Sequence, residues 1–279
     1  MIKQSILITG CASGIGYCAA GILKKRGYRV FASARNPVDV KRLQQEGFES
    51  LQLDVSDPQS IHEAFDTVLT ATGGQLDALF NNAAYMQVGG ILDLTLDIVK
   101  AQFETNTFGA MELTRLALDV MLKQGHGRLI QNSSILGVMT VPYYGAYNAS
   151  KFALEAYSRT LRQELRGTNL HVSLINPGPI ATNIRQNAYT NFQATIAQRE
   201  NSGHYTDAYL NMKEAYLKTP KNGNKLACKP EAVVKKLIHA LESKHPKIHY
   251  FVGWPAHLMA VLQRLLPERA MEWVVSNVT

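Results

Sequence analysis

Ile6-Leu7-Ile8-Thr9-Gly10-Cys11-Ala12-Ser13-Gly14-Ile15-Gly16 is the stretch that decides the fold. Ile6-Leu7-Ile8 is continuously apolar, the pattern of a strand covered by other elements on both faces. The glycines come next, and a helical pattern over residues 15–26 follows them. Glycines between a strand and a helix let the backbone turn tightly and approach a pyrophosphate. The helix N-terminus then offers unpaired N–H groups and the positive end of its dipole. A Gly-rich turn with no ligand is the plain alternative, and its place between strand and helix weighs against that reading.

The rest of the chain repeats this alternation. Short β-rich runs are expected at 5–9, 29–33, 50–54, 78–81, 127–133, 171–176 and 247–252, with helices near 15–26, 39–46, 58–72, 98–122, 146–166 and 231–243. Alternating strands and helices imply βαβ units and a mostly parallel, seven-stranded, doubly wound α/β sheet with helices on both faces. No repeat or Pro/Gly/Ser linker divides the 279 residues, so one Rossmann-type domain is expected. Residues 182–229 are polar, lack strand character and are too long for a plain connection, which predicts a partly helical lid after strand six.

Composition excludes several other classes. With 46% hydrophobic and 18% charged residues, the chain has the balance of a folded globular protein. The net charge of +7 is spread along the sequence without a Lys/Arg-rich block, so a nucleic-acid partner is not expected. Cys11, Cys18 and Cys228 form neither a disulfide framework nor a CxxC pair, and no metal site is expected. The sequence shows no signal-peptide pattern and no apolar run of spanning length, which makes the cytoplasm the expected location.

The spacing of the first loop, TGxxxGxG, resembles that of the short-chain dehydrogenase/reductase family. The resemblance implies a nicotinamide dinucleotide cofactor, with Gly10, Ser13, Gly14, Ile15 and Gly16 around its pyrophosphate. After strand two stand Ser33-Ala34-Arg35, with Ala34 where NAD-preferring relatives carry an acid. Arg35 can pair with a 2'-phosphate, so NADP(H) is expected; Arg35 as an ordinary surface residue is the alternative. Asp54-Val55 resembles the adenine-contacting pair, although Asp54 also reads as a helix-flanking acid. Asn82 and Ala83 lie in Asn81-Asn82-Ala83-Ala84, which matches the family's NNAG turn except for Ala84, where a positive φ would be resisted. Pro177, Gly178, Ile180 and Thr182 match the nicotinamide-side segment that follows strand six.

Tyr147-Asn148-Ala149-Ser150-Lys151 places a phenol and an ammonium one helical turn apart on one face. A phenol titrates near ~10 in water, and a neighbouring cation favours its ionised form, so Lys151 is expected to lower Tyr147. Ser134 ends strand five at the family spacing from Tyr147, and its neighbour Ser133 should point to the other side. Asn106 matches the fourth member, which helps hold a water relay near the lysine; its alternative is a helix-interior Asn. The implied catalytic set is Ser134, Tyr147, Lys151 and Asn106, and the resemblance implies that Tyr147 and Lys151 also contact the cofactor, Lys151 at its ribose.

Substrate identity should lie in the lid, where Tyr205, Tyr209, Met212 and Tyr216 share helical spacing and either wall an apolar pocket or dock the lid, with His204 as a surface or packing residue. The loop pattern is similar to the 17β-hydroxysteroid and retinol dehydrogenase branch and to bacterial aldehyde reductases, which implies hydrophobic carbonyl or alcohol substrates. The tail at 255–279 carries Leu258, Val261, Leu262, Leu265 and Leu266, with Arg264 and Arg269 nearby. It is read as packing on the body or on another subunit of a homodimer or homotetramer, with a membrane surface as the alternative. A dinucleotide sensor without turnover is the competing function, and the Ser-Tyr-Lys set weighs against it.

Overall fold

The computed structural model describes residues 4–197, 203–218 and 226–278. β1 (Ser5–Ile8) is buried at every position, as its apolar sequence requires. Around it lie β2 (Arg29–Ala34), β3 (Glu49–Gln52), β4 (Ala78–Asn81), β5 (Gly127–Asn132), β6 (Leu170–Pro177) and β7 (His249–Val252). The strand order is β3-β2-β1-β4-β5-β6-β7, and every pairing is parallel. The order reverses at β1, and the crevice beside the strand ends at such a reversal is where α/β sheets bind ligands.

Helices cover both faces. They are α1 (Gly14–Lys25), α2 (Pro37–Gln45), α3 (Pro58–Thr72), α4 (Leu96–Phe103), α5 (Gly109–Gln124), α6 (Gly145–Glu164), α7 (Ile184–Thr195), α8 (Thr206–Lys218), α9 (Pro230–Glu242), α10 (Trp254–Leu265) and α11 (Glu268–Val278). Adjacent residues of β1 point to opposite faces, so Ile6 and Ile8 join the α1, α2 and α9 side with Leu23, Leu43 and Val233. Leu7 joins the α3, α5 and α6 side with Phe65, Leu113 and Leu161. Local chemistry sets the helix starts: Asn36 accepts from the Val38 N–H and Asp57 from the Gln59 N–H, each followed by a proline in the first turn.

The strand at 78–81 and the helix at 58–72 fall where the sequence puts them, and most other bounds move by one or two residues. The expected helix at 98–122 needs correction, because a π-turn at Glu104–Phe108 separates α4 from α5, with the Gly109 N–H bonded to the Glu104 carbonyl. Hydrophobic periodicity does not register one residue of extra winding. The expected lid holds α7 and α8. The tail breaks at Pro267 into α10 and α11, and its apolar stripe divides. Leu262 and Leu266 pack with Met139 and Met271, whereas Leu258, Val261 and Leu265 are exposed on this chain. Among the described residues, no helix is long and apolar enough to cross a membrane.

Leu7 is completely buried at the centre of the sheet. Leu7→Ala removes apolar contacts there and leaves a cavity, so urea denaturation should show a loss of about 2–5 kcal/mol with an unchanged m-value.

Candidate active site

The loop after β1 is shaped by missing side chains. Gly10 (φ +73°) and Gly14 (φ +61°) hold left-handed backbone conformations. A Cβ on Gly10 would lie 3.0 Å from Ala83 Cα, one on Gly14 would lie 3.2 Å from Thr182 Cγ2, and one on Gly16 would lie 2.6 Å from Asn82 Nδ2. The three glycines therefore gather Ala83, Thr182 and Asn82 around the start of α1. Ser13 is the N-cap residue, its hydroxyl makes no capping bond, and no acid occupies the first turn that Ile15 belongs to. This cradle of free amide groups, with side chains kept out by glycine, fits a dinucleotide pyrophosphate. Cys11, inside the loop, is fully buried and its thiol is pushed up to about 12 by burial, against a backbone hydrogen bond from Ser33.

At the end of β2, Ala34 is buried and Arg35 exposed. Asp39, the next acid, is paired with Arg42 at 3.1 Å. Arg42 is a residue that sequence reading passed over. Its Nη2 donates to the Ala12 carbonyl at 2.7 Å and its guanidinium stands 5.5 Å from the Tyr17 ring centroid, so it braces the glycine loop from α2. The spacing Asp39, Arg42, Glu46 was the available signal, since acids at i−3 and i+4 hold an arginine upright. Asp54 accepts from the Ser56 N–H at 3.0 Å and the Ser56 hydroxyl at 2.7 Å, while the helix cap belongs to Asp57. Val55 beside it is buried. Ala84 carries no strain: among the described non-glycine residues only Tyr143 has a positive φ, +68°.

Asn82 ties three strand ends together. Its N–H donates to Thr9 Oγ1 at 2.8 Å, and Nδ2 donates to the Thr9 carbonyl at 2.8 Å and the Gly10 carbonyl at 3.3 Å. The Ala83 N–H shares Thr9 Oγ1. Asn82 Oδ1 accepts from Asn132 Nδ2 at 2.9 Å, and the Asn132 carbonyl accepts from Lys151 Nζ at 2.8 Å. Asn132 is the second residue that sequence reading missed, because an Asn at a strand end resembles any other.

Ser134, Tyr147 and Lys151 come together above β5. Tyr147 and Lys151 are buried one turn apart on α6, with Nζ 5.9 Å from the Tyr147 ring centroid. Ser134 caps a short 3-10 turn through Leu136 and hydrogen-bonds the Tyr147 phenol, while Ser133 faces Glu155, on the other side as alternation requires. Asn106 sits in the π-turn. Its Oδ1 accepts from the Tyr85 N–H at 3.0 Å and its Nδ2 donates to the Tyr85 carbonyl at 3.0 Å and to Ser150 Oγ at 3.2 Å. π-turns of this kind recur at functional sites.

The electrostatics correct one expectation. Burial pushes the Tyr147 phenol up to about 12, opposed by the Ser134 hydrogen bond, with no lowering by Lys151. Lys151 is itself brought down to about 8 by burial, against the attraction of Glu155. Desolvation outweighs the pair's mutual effect, so Tyr147 is a neutral phenol at neutral pH.

Pro177 ends β6, and the Gly178 N–H donates to the Val252 carbonyl at 3.0 Å. Ile180 forms a parallel bridge with Cys228, and the segment reaches the glycine loop at Thr182. Above it, the Tyr209 hydroxyl donates to Asp93 and accepts from the Gly90 N–H, and the Tyr205 ring lies over Gly90 and edge-on to Tyr143. These tyrosines dock the lid. Met212 instead joins an apolar group around Tyr147 with Met86, Val88, Leu136, Tyr143 and Ile184. His204 is exposed and stands edge-on to Tyr205, and the Tyr216 side chain lies outside the described residues.

A thiol this deeply buried should not react. A maleimide at pH 8 should leave Cys11 unmodified in the native chain and label it after unfolding, as read by peptide mass spectrometry.

Comparison with known proteins agrees with this architecture. Residues 4–192 match the family model described as short chain dehydrogenase. The chain is 38% identical to the uncharacterized oxidoreductase YbbO of Escherichia coli K12 over 277 residues, covering 99% of this chain and 96% of the relative. It is 33% identical to mouse retinol dehydrogenase 5 over 285 residues, covering 97% and 87%. A solved short chain dehydrogenase/reductase from Burkholderia phymatum, in complex with NAD, superposes with a TM-score of 0.76 at 22% identity, covering 94% of this chain and 92% of that one, a likeness of fold. With its parallel sheet, its glycine cradle and the meeting of Ser134, Tyr147 and Lys151 above β5, this chain belongs to the short-chain dehydrogenase family of oxidoreductases.

Proposed function

We propose that the protein is an NADP(H)-dependent carbonyl reductase acting on apolar aldehydes or ketones of retinoid or steroid character. The observation that carries this reading is the buried phenol of Tyr147, hydrogen-bonded to Ser134 and walled by Met86, Val88, Leu136 and Met212. A polar or charged substrate would lose its hydration against such walls without recovering hydrogen bonds, whereas an apolar one gains by burial. The name of the relative retinol dehydrogenase 5 supports the same substrate class.

When bound, the nicotinamide supplies the hydride. The chain's residues do the rest. Gly10, Ser13, Gly14, Ile15 and Gly16 hold the pyrophosphate, with Asp54, Val55, Asn82 and Ala83 on the adenosine side and Pro177, Gly178, Ile180 and Thr182 on the nicotinamide side. Ser134 donates a hydrogen bond to the carbonyl oxygen and orients it. Tyr147, protonated at neutral pH, gives that oxygen its proton, and Lys151 stabilises the phenolate that results. Asn106 fixes Tyr85 and Ser150 against the helix that carries Tyr147. Preference for NADP(H) rests on charge: Arg35 is exposed at the end of β2, and the neighbouring acid Asp39 is already paired with Arg42.

Turnover of long-chain aldehydes, retinal and ketosteroids with NADPH tests the reading. Tyr147→Phe should lower kcat/KM roughly 10²–10⁴-fold with cofactor affinity retained. Cofactor binding without turnover of any of these carbonyls would favour the sensor instead. Arg35→Ala should weaken NADPH binding about tenfold or more, by nicotinamide fluorescence, and leave NADH binding nearly unchanged.

A further inference from the structure

One turn beyond Lys151, α6 carries a second buried charge that the mechanism does not use. Glu155 is 3% exposed and Lys151 is 2% exposed, so both sit in protein rather than water. Residues i and i+4 share a helix face, and charges in a dry interior act on each other far more strongly than at the surface.

Neighbours from four elements surround Glu155. On β6, Asn176 donates from Nδ2 to Glu155 Oε1 at 2.5 Å and to the Ser134 carbonyl at 3.1 Å. On β7, His249 Nδ1 stands 3.1 Å from Asn176 Oδ1 and 3.6 Å from Glu155 Oε2. Because Asn176 spends its amide hydrogens on Glu155 and Ser134, its Oδ1 is the acceptor, and Nδ1 of His249 carries the proton. Burial brings His249 down to about 4, helped by Arg159, Arg264 and Arg162, so the ring is neutral at neutral pH. On α6 itself, Arg159 Nη2 lies 3.6 Å from Oε2, and Lys151 attracts the carboxylate from the other side. After β5, Ser133 stands beside the same carboxyl. Burial raises Glu155, and Ser133, Asn176, Arg159 and Lys151 all oppose that rise.

Oε2 has no hydrogen bond of its own, and Arg159 stands 3.6 Å from it. The buried cation on the same helix face is Lys151, one turn back. Lys151, in turn, meets Tyr147 on α6 and the Asn132 carbonyl on β5.

We propose that Glu155, held by Asn176, is a positioning residue for the reaction: its buried carboxyl, one helical turn beyond Lys151, supports the charge of that lysine, and Asn176 fixes the backbone of Ser134 from the same anchor. The proposal rests on the carbonyl-reductase reading for its role in turnover, and on nothing but the fold for its effect on Lys151. Removing the carboxylate makes the Lys151 ammonium easier to deprotonate, so the sign of the change is downward.

The test is direct titration of Lys151 by NMR of lysine-labelled protein, its signal assigned by its loss in Lys151→Arg. Glu155→Gln keeps an oxygen for Asn176 but removes the charge. Its Lys151 midpoint should fall by about one pH unit or more, and Glu155→Asp should restore most of the difference. An unchanged midpoint in a folded Glu155→Gln would overturn the proposal. Should that variant not fold, the carboxyl carbon signal of Glu155 in the wild-type chain decides: an ionised carboxylate at pH 7 supports the proposal, and a protonated one sinks it. Turnover separates this proposal from the functional reading. In Glu155→Gln the alkaline limb of kcat/KM should move to lower pH together with Lys151, which a merely structural role would not produce. A wild-type chain that binds cofactor but reduces no carbonyl would end the reductase reading and leave the Lys151 titration as a separate answer.

Discussion

Lys151 gives a hydrogen bond to the Asn132 carbonyl, and that bond ties the helix carrying Tyr147 to the end of β5. The Asn132 side chain donates to Asn82, and Asn82 donates to the carbonyls of Thr9 and Gly10. The glycine loop and the helix that carries Tyr147 are thus two ends of one hydrogen-bonded chain across the tips of β1, β4 and β5. Each of those groups is largely hidden from water, where an unmade hydrogen bond costs more than a made one gains. The distance between cradle and phenol is therefore fixed by parts that cannot relax one at a time.

Burial also determines the charge states. Tyr147 is held neutral and Lys151 is drawn down toward the physiological range because both are buried. A neutral phenol is the form a reduction needs at the start, since it has a proton to give. A lysine close to its own midpoint is sensitive to any nearby charge. Burial therefore sets the protonation of both groups at once.

Much of this was legible in the sequence because it depends on local pattern. Ile6-Leu7-Ile8 shows a two-sided strand, Pro58 after Asp57 shows a helix start, and Tyr147 with Lys151 shows a shared helix face. What was not legible depends on groups distant along the chain. Asn132, Asn176 and Glu155 are ordinary residues of a strand end or a helix until β6 and β7 bring His249 and Ser134 to them. The π-turn around Asn106 changes no hydrophobic spacing and so left no mark. Arg42 was visible only as part of a charge pair, and its reach to Ala12 required the turn at Gly10 to be in place. Lys151 failed to lower Tyr147 for a similar reason: sequence spacing reports nearness, and burial decides which charge survives.

The lid rests on an absence. Tyr205 lies where a side chain on residue 90 would have to be, while the neighbouring N–H of Gly90 meets the Tyr209 hydroxyl. The body of the protein thus contributes a bare patch of backbone, and the lid contributes the aromatic rings that fill it. Such a joint separates two kinds of sequence change. The lid meets the group around Tyr147 through Ile184 and Met212, at positions separate from the seat at Gly90. A change at Ile184 or Met212 therefore leaves both that seat and the hydrogen-bonded chain from Lys151 to Gly10 in place.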